Sequence, residues 1–447
     1  MTLYLGLALF VICLISFLCI WLADSKGSWV ITPFLLFAAY EMIALWPATI
    51  YAYYTGLSMD AYPMLVAGLG FACFLGGFVL FRWLPLGRAR PSRAFLDLSI
   101  HKPPSKTRYV FGILLTTIVL LGMGLYLYQG IPPFTKFLLG RVPGATTDFV
   151  RESRRVFTKS YFWGGEYRGQ GFIRSFMRVG WPFLLVISLS VYYESKSRKW
   201  LLVTLGFSLF SFVFITGDGT RASLLFAMIY VLTVVSMIKK LKVGYLILVA
   251  IGLFVLVTGL SLLSGKIPVD ALSIHFLLTH KTAPLQRIFA GASNGMHSVY
   301  VIELIESGVC DYRYGQVHWH NALNALPGVG ELPFARELAV LLGKQGETTF
   351  ASMTYLGMLY IDFGPVGVMI GYMVIGCTLG LAQRTLFNSK KTPLQLALIG
   401  SIVFYLGMIS LNGIIGFISF FIVVLSIYSL FAIGASLTPY THRRASA

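Results

Sequence analysis

Twenty-one consecutive residues, Thr2 to Leu22, contain no charged side chain, and runs of this kind recur along the chain with short polar turns between them. Coiled as an α-helix, a run of that length matches the hydrocarbon thickness of a bilayer. In hydrocarbon every backbone N–H and C=O has to be satisfied within the protein, so the runs predict helices and exclude open sheets. They are continuous rather than alternating, which excludes a membrane β-barrel. With 57% hydrophobic and 12% charged residues, a water-soluble fold would lack the polar surface to cover its core. The expected fold class is therefore an all-α polytopic membrane protein, with residues 1–447 as one integral membrane domain. No cationic stretch precedes the first run and no small-residue cleavage site follows it, so a retained span is expected there. Cys13, Cys19, Cys73, Cys310 and Cys377 show neither disulfide nor metal-ligand spacing.

The turns set the orientation. Residues 82–108 carry seven Lys or Arg and little periodicity, as a cytoplasmic loop does. Spans at 2–22, 29–53 and 62–80 precede that loop. Alternation then places spans at 109–128, 179–193, 200–215, 222–238 and 243–263, with two large outer loops at 129–178 and 265–363. The basic turn RTLFNSKK and the terminal THRR both fall inside only if residues 350–362 do not cross. These residues are therefore expected to form an interfacial or re-entrant outer helix, and the chain to have about eleven transmembrane helices.

A net charge of +18 on a soluble protein would point to nucleic acid, but here the positive-inside bias is the first cause to weigh, and no nucleic-acid partner is expected. On this topology nineteen Lys and Arg lie inside and sixteen outside, which is more than the bias accounts for. Loop 129–178 holds Lys136, Arg141, Arg151, Arg154, Arg155, Lys159, Arg168, Arg174 and Arg178 against Asp148, Glu152 and Glu166. Such an excess fits an anionic ligand at the outer face. The basic and aromatic stretch RESRRVFTKSYFW equally fits a segment that binds lipid headgroups, and a lipid-linked phosphate satisfies both readings.

Three local features carry candidate chemistry. The turn TGDGTRASLLFAMIY, Thr216 to Tyr230, joins two apolar runs; Gly217 and Gly219 permit a tight bend, Thr220 is a natural N-cap, and Arg221 falls in the first turn of the next helix. Free N–H groups and a fixed guanidinium there would suit a phosphate or pyrophosphate; snorkelling to headgroups or pairing with Asp218 is the competing role. Glu41 lies inside a predicted span, as a functional carboxylate or as a hydrogen-bonded packing residue. The second outer loop contains an apolar run HSVYVIELI at helical spacing, together with Trp319 and several histidines. Its HWH pair, His318 and His320, has no nearby Cys or acidic partner apart from Glu331, so metal binding is not expected. Its Tyr and Trp content suits either sugar stacking or an interfacial position. No P-loop, Rossmann glycine pattern, GxSxG, HExxH or outer-loop carboxylate pair occurs.

Three stretches resemble the Wzy-type oligosaccharide repeat-unit polymerases of bacteria: the mid-chain turn GDGTRASLL, the outer-loop segment THKTAPLQRIF, and TTFASMTYLGMLYIDFG from Thr348 to Gly364. Length and span number agree with that resemblance. It implies a GT-C-like, inverting, metal-independent glycosyltransferase without cofactors, in the bacterial inner membrane with its site facing the periplasm. Such an enzyme moves a growing glycan from undecaprenyl pyrophosphate onto the non-reducing sugar of a new lipid-linked unit, alongside membrane lipids and a chain-length regulator. The match points to Arg221 and Arg287 as pyrophosphate ligands; charge and position add Arg151, Arg154, Arg155, Lys281 and Thr220. His280 or Glu347 would serve as catalytic base. An O-antigen ligase acting on lipid A core shares most of these features. A transporter of anionic substrates would instead be expected to place charges and broken helices at the midplane, often in repeated halves.

Overall fold

The computed structural model describes residues 2–25, 31–54, 61–83, 106–128, 132, 170–215, 221–239, 251–252, 293–324, 337–338, 340–341, 353–386 and 391–437, and every regular element among them is a helix. In chain order they are α1 (Thr2–Ser25), α2 (Pro33–Tyr40), a π-helical turn (Glu41–Leu45), α3 (Trp46–Tyr54), α4 (Tyr62–Trp83), α5 (Lys106–Tyr128) and α6 (Gln170–Ser195). There follow α7 (Arg198–Ile215), α8 (Arg221–Ile238), α9 (Ser293–Glu306), α10 (Gln316–Asn324), α11 (Tyr355–Leu386), α12 (Pro393–Gly407) and α13 (Ile409–Ser436). Six of the described helices are long and apolar enough to cross a membrane: Leu3–Leu22, Tyr62–Arg82, Arg108–Tyr128, Phe172–Ser195, Arg198–Ile215 and Tyr355–Arg384. Shorter apolar helices cover Ser223–Ile238, Pro393–Gly407 and Phe420–Ser436. The expected span at 243–263 lies outside the described residues except for 251–252.

Local chemistry explains several boundaries. Thr32 accepts from Leu35 N at 3.1 Å and Pro33 opens α2, a side-chain cap followed by a residue whose missing N–H costs nothing in the first turn. Thr392 and Gln395 form a reciprocal capping box ahead of Pro393 in α12. The first outer loop was expected to run to residue 178, but α6 begins at Gln170, so Arg174 and Arg178 are half-buried helix residues. Ile173, Phe176 and Met177 continue the apolar face upstream of the uninterrupted apolar run, which was the only boundary signal used. The run HSVYVIELI lies within α9, as its spacing predicts.

Two buried clusters organise the molecule. One gathers α1, α2, α4, α9, α10 and α11, and its axis is the pair α4 and α11. α4 and the residues of α11 after Gly364 run parallel in one register: Gly70 meets Val368, Gly77 meets Met373 and Cys377, and Gly380 meets Phe78 and Arg82. A Cβ on Gly77 would lie 2.4 Å from the Met373 carbonyl oxygen, and one on Gly376 would lie 2.1 Å from that of Phe74. Glycine hydrogens are therefore all that separates the two backbones, the close approach that stabilises helix pairs in membranes. The second cluster gathers α5, α6, α7, α8, α12 and α13, where Trp181 stacks on Phe210 and Phe214 with ring centroids 5.2 Å apart in each pair.

α11 is two helices. Gly364 adopts φ +67° and ψ −163°, a backbone region open in practice to glycine, and Pro365 starts the second part. The chain doubles back there. A Cβ on Gly367 would lie 3.2 Å from the Leu359 carbonyl oxygen, and one on Gly371 would lie 2.4 Å from the Leu359 side chain. In an unbroken helix, residues 359 and 371 would stand about 18 Å apart.

Gly76 and Gly77 separate seam contact from helix propensity. A Cβ on Gly76 meets nothing within 4 Å. Gly77→Ala is expected to destabilise the purified protein by about 1–3 kcal/mol through overpacking, whereas Gly76→Ala should be neutral or slightly stabilising. Thermal unfolding of both variants in detergent tests this; equal melting temperatures would show that α4 and α11 are not in backbone contact.

Candidate functional site

The site grows from the segment joining α9 to α10. Two residues past the end of α9, Gly308 has a φ of +71° that lets Val309 N and Cys310 N return to the Leu304 carbonyl at 2.9 and 3.0 Å. Tyr314 and Gly315 then both take left-handed backbone, φ +48° and +88°, and turn the chain into α10. A tyrosine in that region is uncommon and strained. Arg313 N donates to the Ile361 carbonyl at 2.8 Å, and the Arg313 guanidinium pairs with Glu337.

The first turn of α10 leaves backbone N–H groups without helical partners. Asp362, fully buried on the first part of α11, supplies them: its carboxylate accepts from Val317 N at 3.1 Å and His318 N at 2.9 Å. A buried carboxylate at a helix N-terminus also gains from the helix dipole. The same carboxylate accepts from His318 Nδ1 at 2.6 Å. Because a carboxylate only accepts, Nδ1 carries the proton, so Nε2 is the nitrogen that holds the lone pair whenever the ring is neutral. Nε2 is covered and has no hydrogen-bond partner, although 21% of the His318 side chain is exposed. Tyr355, edge-on at 5.7 Å, and Phe363, at 5.8 Å, fix the plane of the ring. Orientation of an imidazole by a buried carboxylate, with the opposite nitrogen bare, is the geometry of a general base.

Further polar and aromatic groups lie on α4, α9, α10 and the first part of α11. The Tyr360 hydroxyl donates to Glu306 and stands 3.5 Å from that of Tyr62. Tyr314 and Trp319 are exposed on either side of His318 in sequence. His320 contacts the Gln316 carbonyl at 3.3 Å, and His318 is engaged by Asp362; no group of three or more metal-ligating side chains occurs among the described residues.

The sequence-derived site residues are placed unevenly. Arg221 is the first residue of α8, the position expected for it, with its side chain outside the described set. Thr220, Arg151, Arg154, Arg155, His280, Lys281, Arg287 and Glu347 lie outside the described residues altogether. Sequence reasoning passed over the Asp362–His318 pair. Both signals were present, since His318 is the first histidine of HWH and Asp362 the acidic residue of YIDFG, but 44 residues separate them.

The chain matches no family model, no curated protein and no solved structure. Its architecture defines its class: an all-helical protein whose apolar helices are those of a multi-pass membrane protein.

Asp362→Asn tests whether the carboxylate is structural as well as chemical. An amide directs a donor toward donors, so stability is expected to fall by about 1–3 kcal/mol. His318→Gln keeps both backbone bonds and should cost less. A melting temperature for Asp362→Asn equal to that of the unchanged protein would show that the carboxylate does not hold α10.

Proposed function

We propose that the protein is a Wzy-type oligosaccharide repeat-unit polymerase, a metal-independent inverting glycosyltransferase acting at the periplasmic face of the bacterial inner membrane. It transfers a glycan from undecaprenyl pyrophosphate to the non-reducing sugar of a new lipid-linked unit. The observation that carries the reading is the Asp362–His318 pair, whose acidic member belongs to the TTFASMTYLGMLYIDFG stretch that resembles this family. The acceptor hydroxyl has to lose a proton as it attacks the anomeric carbon, and His318 Nε2 is a lone pair held in place to take it. Entry of the acceptor opens the covered edge of the ring. In this reading His318 takes the role the sequence assigned to His280 or Glu347. The departing pyrophosphate is stabilised by Arg221 at the start of α8 and by Arg287, with Arg151, Arg154, Arg155, Lys281 and Thr220 around it. The topology belongs to the same proposal: about eleven spans in a GT-C-like arrangement, the basic loop ahead of α6 and loop 265–363 outside, and residues 350–362 interfacial or re-entrant.

Surface polysaccharide from a strain lacking the chain tests the reaction class. A single repeat unit on the lipid core is expected; complete loss of repeat units would replace the polymerase with a ligase or flippase. Complementation by His318→Ala should leave single-unit product from protein that accumulates normally, with a rate loss of about 10²–10⁴ for a missing general base.

Arg221 separates pyrophosphate binding from snorkelling. Arg221→Ala is expected to lose about 3 kcal/mol of transition-state stabilisation, roughly a hundredfold in rate. Arg221→Lys should recover only part of it, because a point charge does not reproduce a bidentate fork. Normal long-chain product from well-expressed Arg221→Ala protein would remove this residue from the mechanism.

A further inference from the structure

Glu41 lies at the start of the π-helical turn between α2 and α3 and is 1% exposed. A π-helical turn inserts an extra residue into a helix, and such turns are concentrated at functional positions. Two hydroxyls donate to one and the same oxygen of its carboxylate, Oε1: that of Tyr372 on the second part of α11, at 3.0 Å, and that of Ser410 at the start of α13. The second oxygen, Oε2, is buried and makes no hydrogen bond, and the adjacent Tyr40 hydroxyl is likewise buried and without one. Burying a carboxylate among apolar helices is costly. Plain packing would be served as well by a leucine or methionine, which argues that the acceptor oxygen is retained for the two hydroxyls it gathers.

Those hydroxyls belong to the parts of the molecule that fix the His318 site. Tyr372 follows Gly371, and the Leu359 side chain rests on Gly371, where an added Cβ would lie 2.4 Å away. Leu359 is one helical turn before Asp362, the residue that orients His318. Tyr355, the first residue of the same segment, lies edge-on to the His318 ring. Ser410 follows the break at Met408 between α12 and α13, where Gly407 packs on Leu36 of α2. One oxygen thus ties α2, the folded-back α11 and the α12–α13 break at the level on which the Asp362 segment rests.

We infer that Glu41 is a positioning residue for the Asp362–His318 pair, acting through Tyr372 and the Gly371–Leu359 contact. Its service to catalysis rests on the polymerase reading; its effect on His318 does not. What the network uses is an acceptor oxygen, so a glutamine, which presents a carbonyl oxygen at the same distance, should substitute for it, and an alanine should not.

The test reads His318 directly. Full-length protein in lipid vesicles is treated with diethyl pyrocarbonate, and carbethoxylation of the His318 peptide is followed by mass spectrometry. Wild type should react slowly, because Nε2 is covered. Glu41→Ala and Tyr372→Phe should each raise the rate, Glu41→Ala by about tenfold, the scale set by losing two buried hydrogen bonds. Glu41→Gln should restore the slow rate, and insertion should match wild type in all three. Unchanged labelling in Glu41→Ala, or labelling in Glu41→Gln as fast as in Glu41→Ala, overturns the inference. Polymerisation assayed on the same samples separates the two readings: kcat should fall where labelling rises, with KM unchanged. Faster labelling with undiminished polymerisation keeps Glu41 as the positioner of His318 and instead removes His318 from the polymerase mechanism.

Discussion

Along α4 and α11 two backbones touch with only glycine hydrogens between them, and the position of nearly every polar group of interest follows from that contact. Gly77, Gly376 and Gly380 admit one register, in which the second part of α11 runs alongside α4. The register holds the second part of α11 against α4, and the reversal at Gly364 returns the first part of α11 along the second. Apolar side chains cannot discriminate register this sharply when lipid is as apolar as leucine; steric exclusion of a Cβ can. The rest of the site is built on a rod whose axial position is already set.

Two buried carboxylates divide the work on that rod. Asp362 faces N–H donors, at a helix start whose dipole favours an anion, so it closes α10 and orients His318 with one set of bonds. Glu41 faces hydroxyls from two other helices and closes no helix end. The first arrangement offers a nitrogen lone pair to an incoming group; the second holds elements at a fixed separation.

Helices and class were legible in the sequence because uncharged runs of bilayer length have one backbone solution in hydrocarbon, and nothing distant has to be known to see it. The helix of α8 was legible for a similar local reason, an apolar run opening at an arginine, and α8 covers Arg221–Ile238; the turn residues 216–220 ahead of it lie outside the described residues. Pairings were not. His318 was read only as half of a weak metal motif because its partner is 44 residues away. Glu41 stood out as a charge in an apolar run, but Tyr372 and Ser410 lie 331 and 369 residues from it. Continuous apolarity does not mark the upstream start of α6, where Ile173, Phe176 and Met177 carry the helical period through charged residues.

Backbone irregularity carries its own information in such a protein, because a broken helix in apolar surroundings leaves polar groups that water cannot satisfy. Three irregularities occur close together in the interaction network: the π-helical turn at Glu41–Leu45, the break at Met408, and the reversal at Gly364. Each is repaired locally. Trp46 N returns to the Glu41 carbonyl, Met408 N is shared between the Phe404 and Tyr405 carbonyls, and glycine takes the one conformation at 364 that other residues resist. Glu41 is a member of the first, reaches the second through Ser410, and reaches the third through Tyr372, about two turns beyond Gly364. Chance breaks would not be expected to converge on one carboxylate oxygen. Their convergence argues that the regular rods α4, α5 and α7 supply the scaffold, and that the costly exceptions are kept where the chain has to set the angle and depth of the segment bearing Asp362.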